Sequence, residues 1–271
     1  MDRLREFLAV HTGIVLADSK DYLIESRLKN ILTENRLPSI HDLIKFIESH
    51  PGTPMLDDVV DAITTHETSW FRDGSFFDYI RQVYLPSLLK ASSSHRSIEV
   101  WSAASSSGQE AYSFSMVVEQ CLKNLKSHAK TAPPVNILGT DISKQVIRRA
   151  KGGIYSHAEL SRGLPEDFKR QYLDIFPDGS ATVKESVRQR ARFHVHNLKE
   201  GYELLGNFDI VLCRNVLIYF DEETVEQILR KIRGVLRENG VLFLGATEHI
   251  HGLEDIYAHE STPAGIMYRA I

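Results

Sequence analysis

Five short stretches carry side chains that could do chemistry together. The first, THETSWFRDG at residues 65–74, sets Trp70 and Phe71 directly before Arg72. A guanidinium beside two large rings suits an anion that must be held in one place, because its planar fork matches a carboxylate. The others are the small-residue run 102–108 with Glu110 behind it, Asp141, Asn197 with Leu198, and Arg214 with Asn215 and, a few residues on, Tyr219. Small residues let a backbone approach a ligand closely. An acidic residue at a strand end can accept both hydrogen bonds of a ribose diol. Small polar groups can hold an amino-acid tail. The set suits a nucleoside ligand. Ala103, Ser105 and Ser106 stand where a G-x-G-x-x-G loop would need glycines, which counts against a pyrophosphate cofactor such as NAD. It is compatible with S-adenosylmethionine, which has no phosphate to cradle.

Each residue alone has a simpler role. Asp141 could cap a helix. Glu110 could answer a helix dipole. Asn197 could close a turn. Tyr219 could pack at a strand end, and Arg72 could pair with Asp73 or Glu67. Arg214 is harder to dismiss, since a charge after a buried strand needs a partner. The joint spacing carries the argument.

That spacing needs elements to position it. The first 65 residues read as helices. Residues 21–36 put Ile24, Leu28, Ile31 and Leu32 on one face, Ser39 caps a helix over 40–49, and another runs over 55–63. A connecting helix is expected over 73–90, then a polar loop over 91–97. From Ile98 the pattern alternates: short apolar runs at 98–101, 135–138, 193–195, 208–213 and 241–244, with helices over 109–125, 143–150 and 221–236, the last stopped by Gly240. Alternation of this kind predicts a mostly parallel, doubly wound α/β sheet, with ligands beyond the carboxyl ends of its strands. Residues 172–192, with the turn FPDGS, interrupt it as a small hairpin-bearing insertion.

Composition sets the outer limits. The 271 residues are 42% hydrophobic and 25% charged, as in an ordinary globular protein. Two cysteines, Cys121 and Cys213, make no disulfide framework and have no metal-ligand spacing, so no metal is expected. No stretch approaches the roughly 20 apolar residues of a membrane helix, and a cytoplasmic location with no membrane insertion is expected. A net charge of −4 does not favour nucleic acid. Residues 142–193 hold 11 basic and 6 acidic side chains, a net +5 that could face an acidic macromolecule or be a solvated surface.

THETSWFRD, VWSAASSSGQEAYS, GTDIS, HNL and CRNVLIYFD, in that order, resemble the motifs of the chemotaxis receptor glutamate methyltransferases, the CheR family, over nearly the whole chain. The resemblance implies a helical N-terminal domain (1–65), a linker carrying WFRD (66–93) and an S-adenosylmethionine-binding α/β domain (94–271) with a small antiparallel β-subdomain (172–192). It implies methylation of glutamate γ-carboxylates on chemoreceptor cytoplasmic helices, with S-adenosylhomocysteine as product, and leaves room for a regulatory protein. By motif, His66, Thr68, Arg72, Glu110, Asp141, Asn197, Leu198, Arg214 and Asn215 would line the cofactor site, and Arg72 and Tyr219 would face the reacting groups. The family commonly has Asn where His66 stands, and Glu and Pro where Gln109 and Ala111 flank Glu110. Members that grip a receptor's carboxyl-terminal peptide carry a longer hairpin loop; the turn at 177–180 is short, so receptors without that tether are expected. Lys20, Arg27, Lys29 and Arg36 are candidates to dock acidic receptor helices. A methyltransferase for a small carboxylic acid, and a cofactor-loaded scaffold with weak catalysis, are the alternatives; the first gives no use to the helical domain.

Overall fold

The computed structural model describes residues 1–16, 21–92, 96–126 and 132–271. Lys20 and positions 93–95 of the expected polar loop lie outside the described residues. Within the first part, helices α1 (Asp2–Thr12), α2 (Asp21–Glu34), α3 (Ile40–Ser49) and α4 (Pro54–Ile63) pack around Leu8, Leu28, Leu43 and Val59, all fully buried. Local chemistry sets the starts. The Ser39 hydroxyl accepts from Asp42 N at 3.2 Å, and Thr53 precedes Pro54, whose missing N–H is harmless in a first turn.

The expected single helix over 73–90 forms as Gly74–Tyr79, a π-turn at Ile80–Tyr84 and Leu85–Ala91. Pro86 stands second in the helix that follows the π-turn. Its ring excludes the regular hydrogen bond and crowds the preceding turn, and a wider turn relieves this.

The main sheet has strands β1 (Ile98–Ala103) and β2 (Val135–Asp141), then, after three short strands β3 (Ile154–Tyr155), β4 (Leu173–Ile175) and β5 (Ala181–Val183) of a separate sheet, β6 (Ala191–Val195), β7 (Phe208–Cys213), β8 (Leu236–Leu244), β9 (Tyr257–Thr262) and β10 (Gly265–Ala270). Its order is β6-β2-β1-β7-β8-β10-β9. The first five pair in parallel, and β10 runs antiparallel to both β8 and β9. Chain order reverses at β1, with β2 on one side and β7 on the other. Alternate residues enter opposite cores. Val100, Ile210 and Val241 pack with helix Gln109–Lys126 on one face, while Trp101, Val211 and Leu242 pack with helix Glu222–Val235 on the other.

Three features differ from the sequence pattern. The β9–β10 hairpin was not expected, because β9 is an edge strand exposed along most of its length and carries no apolar alternation. Helix Glu222–Val235 ends well before Gly240; Asn239 at φ 59° and Gly240 instead turn the chain tightly within β8. The small antiparallel sheet, of order β3-β5-β4, draws one strand from Ile154–Tyr155, outside residues 172–192.

That small sheet seats the WFRD segment. Trp70 is 1% exposed and meets Tyr155 edge-on at 4.8 Å. Its backbone N–H donates to Arg162 O at 3.0 Å. Phe71 N donates to Ser113 Oγ at 3.1 Å, and its ring packs on Phe77 and Phe168. The two rings ahead of Arg72 are therefore anchors. The N-terminal helices are tied on separately. Lys199 Nζ donates to Ala9 O and Val10 O, both at 2.9 Å, engaging carbonyls in the last turn of α1. Asp57 of α4 pairs with Lys144 at 2.6 Å. Among the described residues no helix is long and apolar enough to cross a membrane.

Gly163 has φ +87°, and an added Cβ would collide with the Trp70 carbonyl oxygen. Gly163→Ala is expected to destabilise the protein by about 2 kcal/mol or more, from left-handed strain and the clash together. An unchanged urea midpoint would show that the Trp70 segment is not held there.

Candidate active site

The carboxyl ends of β1, β2, β6 and β7 open on one cavity of about 230 Å³. This is where strand order reverses, the place where open α/β sheets bind ligands. His66, Thr68, Arg72, Glu110, Asp141, Asn197, Leu198, Arg214, Asn215 and Tyr219 all line it. Ile14, Val15 and Leu16, between α1 and α2, complete the wall.

Asp141 ends β2 with 7% exposure. Its two oxygens accept from Ser106 N at 2.9 Å and Ser143 N at 3.0 Å. It does not cap the next helix; the Ser143 hydroxyl does, accepting from Val146 N at 3.1 Å. Asp141 instead ties the loop after β1 to the loop after β2, and each oxygen keeps a lone pair for a ligand hydroxyl. Burial pushes its carboxyl above the usual carboxylate range, against the two N–H groups and the nearby His66 ring.

Glu110 accepts from Ser102 Oγ at 2.8 Å and from Arg214 Nη1 at 3.0 Å. Burial pushes this carboxyl upward too, and the Arg214 charge and the Ser102 hydroxyl pull it back. The Arg214 side chain is 2% exposed. Its Nη2 donates to Asp73 Oδ2 at 2.6 Å and to Arg72 O at 3.1 Å. The guanidinium carbon stands 4.1 Å over the Phe76 ring. Arg214 thus joins the WFRD segment, the first helix after β1, and β7.

Arg72 is the opposite case. It is exposed to the cavity, its guanidinium donates to Glu67 O at 3.4 Å, and it forms no ion pair among the described residues. Asp73 belongs to Arg214, so the simpler pairing open to Arg72 does not form. Tyr219 is half-buried in the short 3-10 turn Leu217–Tyr219. Its carbonyl accepts from Val15 N at 2.9 Å, and its hydroxyl has no protein partner among the described residues. Asn197 does close a turn, accepting from Lys199 N at 3.0 Å, and its amide also donates to His11 O at 2.9 Å. Leu198 is 6% exposed. His66 meets the Thr64 hydroxyl at 2.8 Å, and its carbonyl accepts from Ser106 Oγ at 2.9 Å. Thr68 lines the wall without a hydrogen bond among the described residues.

Four buried polar atoms on cavity-lining residues, Ser105 Oγ, His196 Nε2, Arg214 Nε and Asn215 Oδ1, have no hydrogen-bond partner among the described residues. Buried polar atoms are ordinarily satisfied, so these point to a polar ligand. The backbone is strained here as well. Phe71, Asp73, Ala104, Ser106 and Asn215 all have positive φ, between 47° and 59°. Such residues are uncommon outside glycine, and their gathering at one cavity marks a site whose geometry is held by its surroundings.

Sequence reasoning missed His196, Asp73 and the 14–16 wall. His196 follows β6 directly, so the strand-end rule could have found it; burial holds its imidazole below the usual value. Asp73 was visible only as a helix start and a possible partner for Arg72, not as a partner of Arg214. Of the basic candidates on α2, Arg27 is half-buried and donates to Ile63 O at 3.1 Å, closing the end of α4, while Lys29 and Arg36 are exposed.

Residues 66–266 match the family model described as the CheR methyltransferase SAM-binding domain, and residues 1–64 match the CheR methyltransferase all-alpha domain. The chain is 41% identical over 266 residues to chemotaxis protein methyltransferase 1 of Pseudomonas aeruginosa, spanning 98% of this chain and 96% of that one. It is 37% identical over 269 residues to chemotaxis protein methyltransferase Cher2 of Pseudomonas putida, spanning 99% and 97%. It is 39% identical over 263 residues to chemotaxis protein methyltransferase 1 of Vibrio cholerae, spanning 97% and 94%.

Arg214→Met leaves Asp73 and Glu110 without their cation and is expected to destabilise the fold by about 3 kcal/mol. Guanidinium unfolding of the variant checks this, and a loss under about 1 kcal/mol would contradict the bracing role.

Proposed function

The chain belongs to the CheR methyltransferase family, and from that premise we propose that it transfers a methyl group from S-adenosylmethionine to the γ-carboxylate of glutamates on chemoreceptor cytoplasmic helices. Its place would be the cytoplasm, in chemotaxis adaptation or a related signalling pathway. The observation that carries this reading is the cavity itself: a guanidinium with no ion pair and a phenol with no hydrogen bond among the described residues, together with a strand-end carboxylate, face one space where the sheet reverses order.

S-adenosylmethionine, when bound, supplies an electrophilic methyl group on a cationic sulfur and leaves as S-adenosylhomocysteine. The residues suit it. It presents hydroxyls, an ammonium and a sulfonium, and the site offers acceptors: the Asp141 lone pairs, the unpartnered Asn215 Oδ1 and the Glu110 carboxylate. In our reading Asp141 takes the ribose hydroxyls, and Glu110, Asn215, Asn197, Leu198, His66 and Thr68 form the rest of the wall. Arg214 acts by holding Glu110 and the WFRD segment.

A glutamate side chain ionises at about pH 4.3, so near pH 7 it is already the nucleophile and needs no general base. Opposite charges are neutralised as the methyl moves. Strong stabilisation of the separated charges would therefore slow the step, and the chain's task is to position and desolvate. Arg72 has its fork available to orient the incoming carboxylate, and Tyr219 can hydrogen-bond to it or line the transfer path. Trp70 and Phe71 hold Arg72 to the scaffold.

The domain division follows the same reading: residues 1–65 form the helical domain, 66–93 carry the catalytic arginine, and 94–271 form the methyltransferase domain. Exposed Lys29 and Arg36 would dock acidic receptor helices. The hairpin turn is short, with Phe176 N donating to Ser180 O at 2.8 Å and Ser180 N to Asp178 Oδ1 at 2.9 Å. A receptor-tail tether is accordingly not part of the proposal.

Transfer of labelled methyl to a receptor cytoplasmic fragment, with its target glutamates changed to alanine as control, tests the function; label insensitive to that change would refute it. Arg72→Ala should lower turnover by roughly 10²-fold or more, as expected when a reactant is misplaced. Turnover close to the parent enzyme's would remove Arg72 from the mechanism. Calorimetry with a receptor-tail peptide should give no specific heat, and tight binding would end the no-tether idea.

A further inference from the structure

One buried carboxylate organises the site from just outside it. Glu248 lies in the loop after β8 with 6% exposure and does not line the cavity. Its Oε2 accepts from Asn215 N at 2.6 Å and Gly245 N at 2.7 Å. Its Oε1 accepts from Val216 N at 2.9 Å and Leu217 N at 2.8 Å. An ionised carboxylate has about four lone-pair sites, and all four are used on backbone donors.

Three of those donors are consecutive. Asn215, Val216 and Leu217 present their N–H groups to one point, the concave arrangement that elsewhere holds a bound anion. It forms because Asn215 is left-handed, at φ 59°. Gly245 is required by the same packing: an added Cβ would stand 2.7 Å from both Asn215 Nδ2 and Glu248 Oε2. A carboxylate supplied from a different strand end therefore fills a nest that would otherwise hold three unpaired, partly buried N–H groups.

The clamped turn lies between the site's working parts. Arg214 precedes it, Asn215 carries an unpartnered Oδ1 at the cavity wall, and Tyr219 closes the 3-10 turn that begins at Leu217. We propose that Glu248 is a positioning residue for methyl transfer: by collecting these four N–H groups it sets Asn215 and Tyr219 in the cavity. The proposal rests on the methyltransferase reading above. Glu248 touches neither substrate nor cofactor in this scheme, so its effect must travel through the turn.

The test uses the full chain. Glu248→Gln keeps the shape but turns an NH2 group toward two N–H donors. Glu248→Asp keeps the charge and withdraws it by one methylene. Thermal unfolding selects a temperature at which each variant is folded, and three quantities are then compared with the parent protein: amide hydrogen exchange, S-adenosylmethionine affinity by calorimetry, and kcat with a saturating receptor fragment. In E248Q, exchange at 215–217 should quicken while exchange in β1 stays unchanged. Cofactor Kd should rise, and kcat fall, by about tenfold or more, as expected for displaced site groups. E248D should recover part of each. A folded E248Q with faster exchange at 215–217, but Kd and kcat within about twofold of the parent, overturns the proposal, because the turn would then be loosened without consequence. If neither variant folds, Glu248 is a folding determinant and the proposal also falls. Failure of the methyltransferase reading looks different, since the unmodified chain would itself neither bind the cofactor nor transfer methyl.

Discussion

The site is assembled around a charge that has no water. The Arg214 guanidinium is almost wholly buried, and a buried cation is tolerable only if the protein replaces the hydration it gave up. Asp73, Glu110 and the Arg72 carbonyl do so for the two Nη groups, with the face of Phe76 beneath, while Nε has no partner among the described residues. These partners come from the WFRD segment and the helix after β1, both more than a hundred positions from Arg214 in the chain. Buried ion pairs add little net stability, but leaving one member unpaired is expensive. The cluster therefore acts mainly on specificity. A fold that misplaces any one of the three segments strands a charge, and the correct arrangement is the one in which Arg72, next in sequence to Asp73, faces the cavity.

From that cluster the rest of the geometry follows. The segments that converge on the cavity adopt left-handed conformations at Asp73, Ala104, Ser106 and Asn215, and three of these are bound by a carboxylate that sits elsewhere in the chain or are themselves partners in an ion pair. Asp73 is held by Arg214, Ser106 by Asp141 and Asn215 by Glu248. Buried acids thus have two uses in this molecule. They keep strained backbone in place, and some of them leave lone pairs at the cavity wall. Rigidity of this kind suits a reaction in which charge disappears, because the gain comes from alignment rather than from charge stabilisation.

The N-terminal helices are part of the same construction. The last carbonyls of α1 are taken by Asn197 and Lys199, and Val15 is hydrogen-bonded to the carbonyl of Tyr219. Residues that wall the cavity are therefore also the fasteners of the helical domain. The end of α1 and the segment after it are thus bonded directly to Asn197 and Tyr219.

Much of this was legible in the chain. Apolar period marked the helices at 21–36, 40–49 and 221–236 and the strands at 98–101 and 208–213, since burial of one face leaves a regular record. The strand-end rule gathered Glu110, Asp141, Asn197, Arg214 and Asn215, and the cavity brings them together with Arg72 and Tyr219. What the sequence could not disclose is division of labour. Asp73 and Arg72 are adjacent charges of opposite sign, and nothing local says that one is buried in a cluster while the other stays free. Glu248 looks like an ordinary loop acid, and β9 reads as a loop because an edge strand need not alternate. Periodicity records what each residue buries against its own element. Partners such as Asn215 and Glu248 meet only after two strand ends are brought side by side, so their bond is decided by tertiary structure and leaves no period to read.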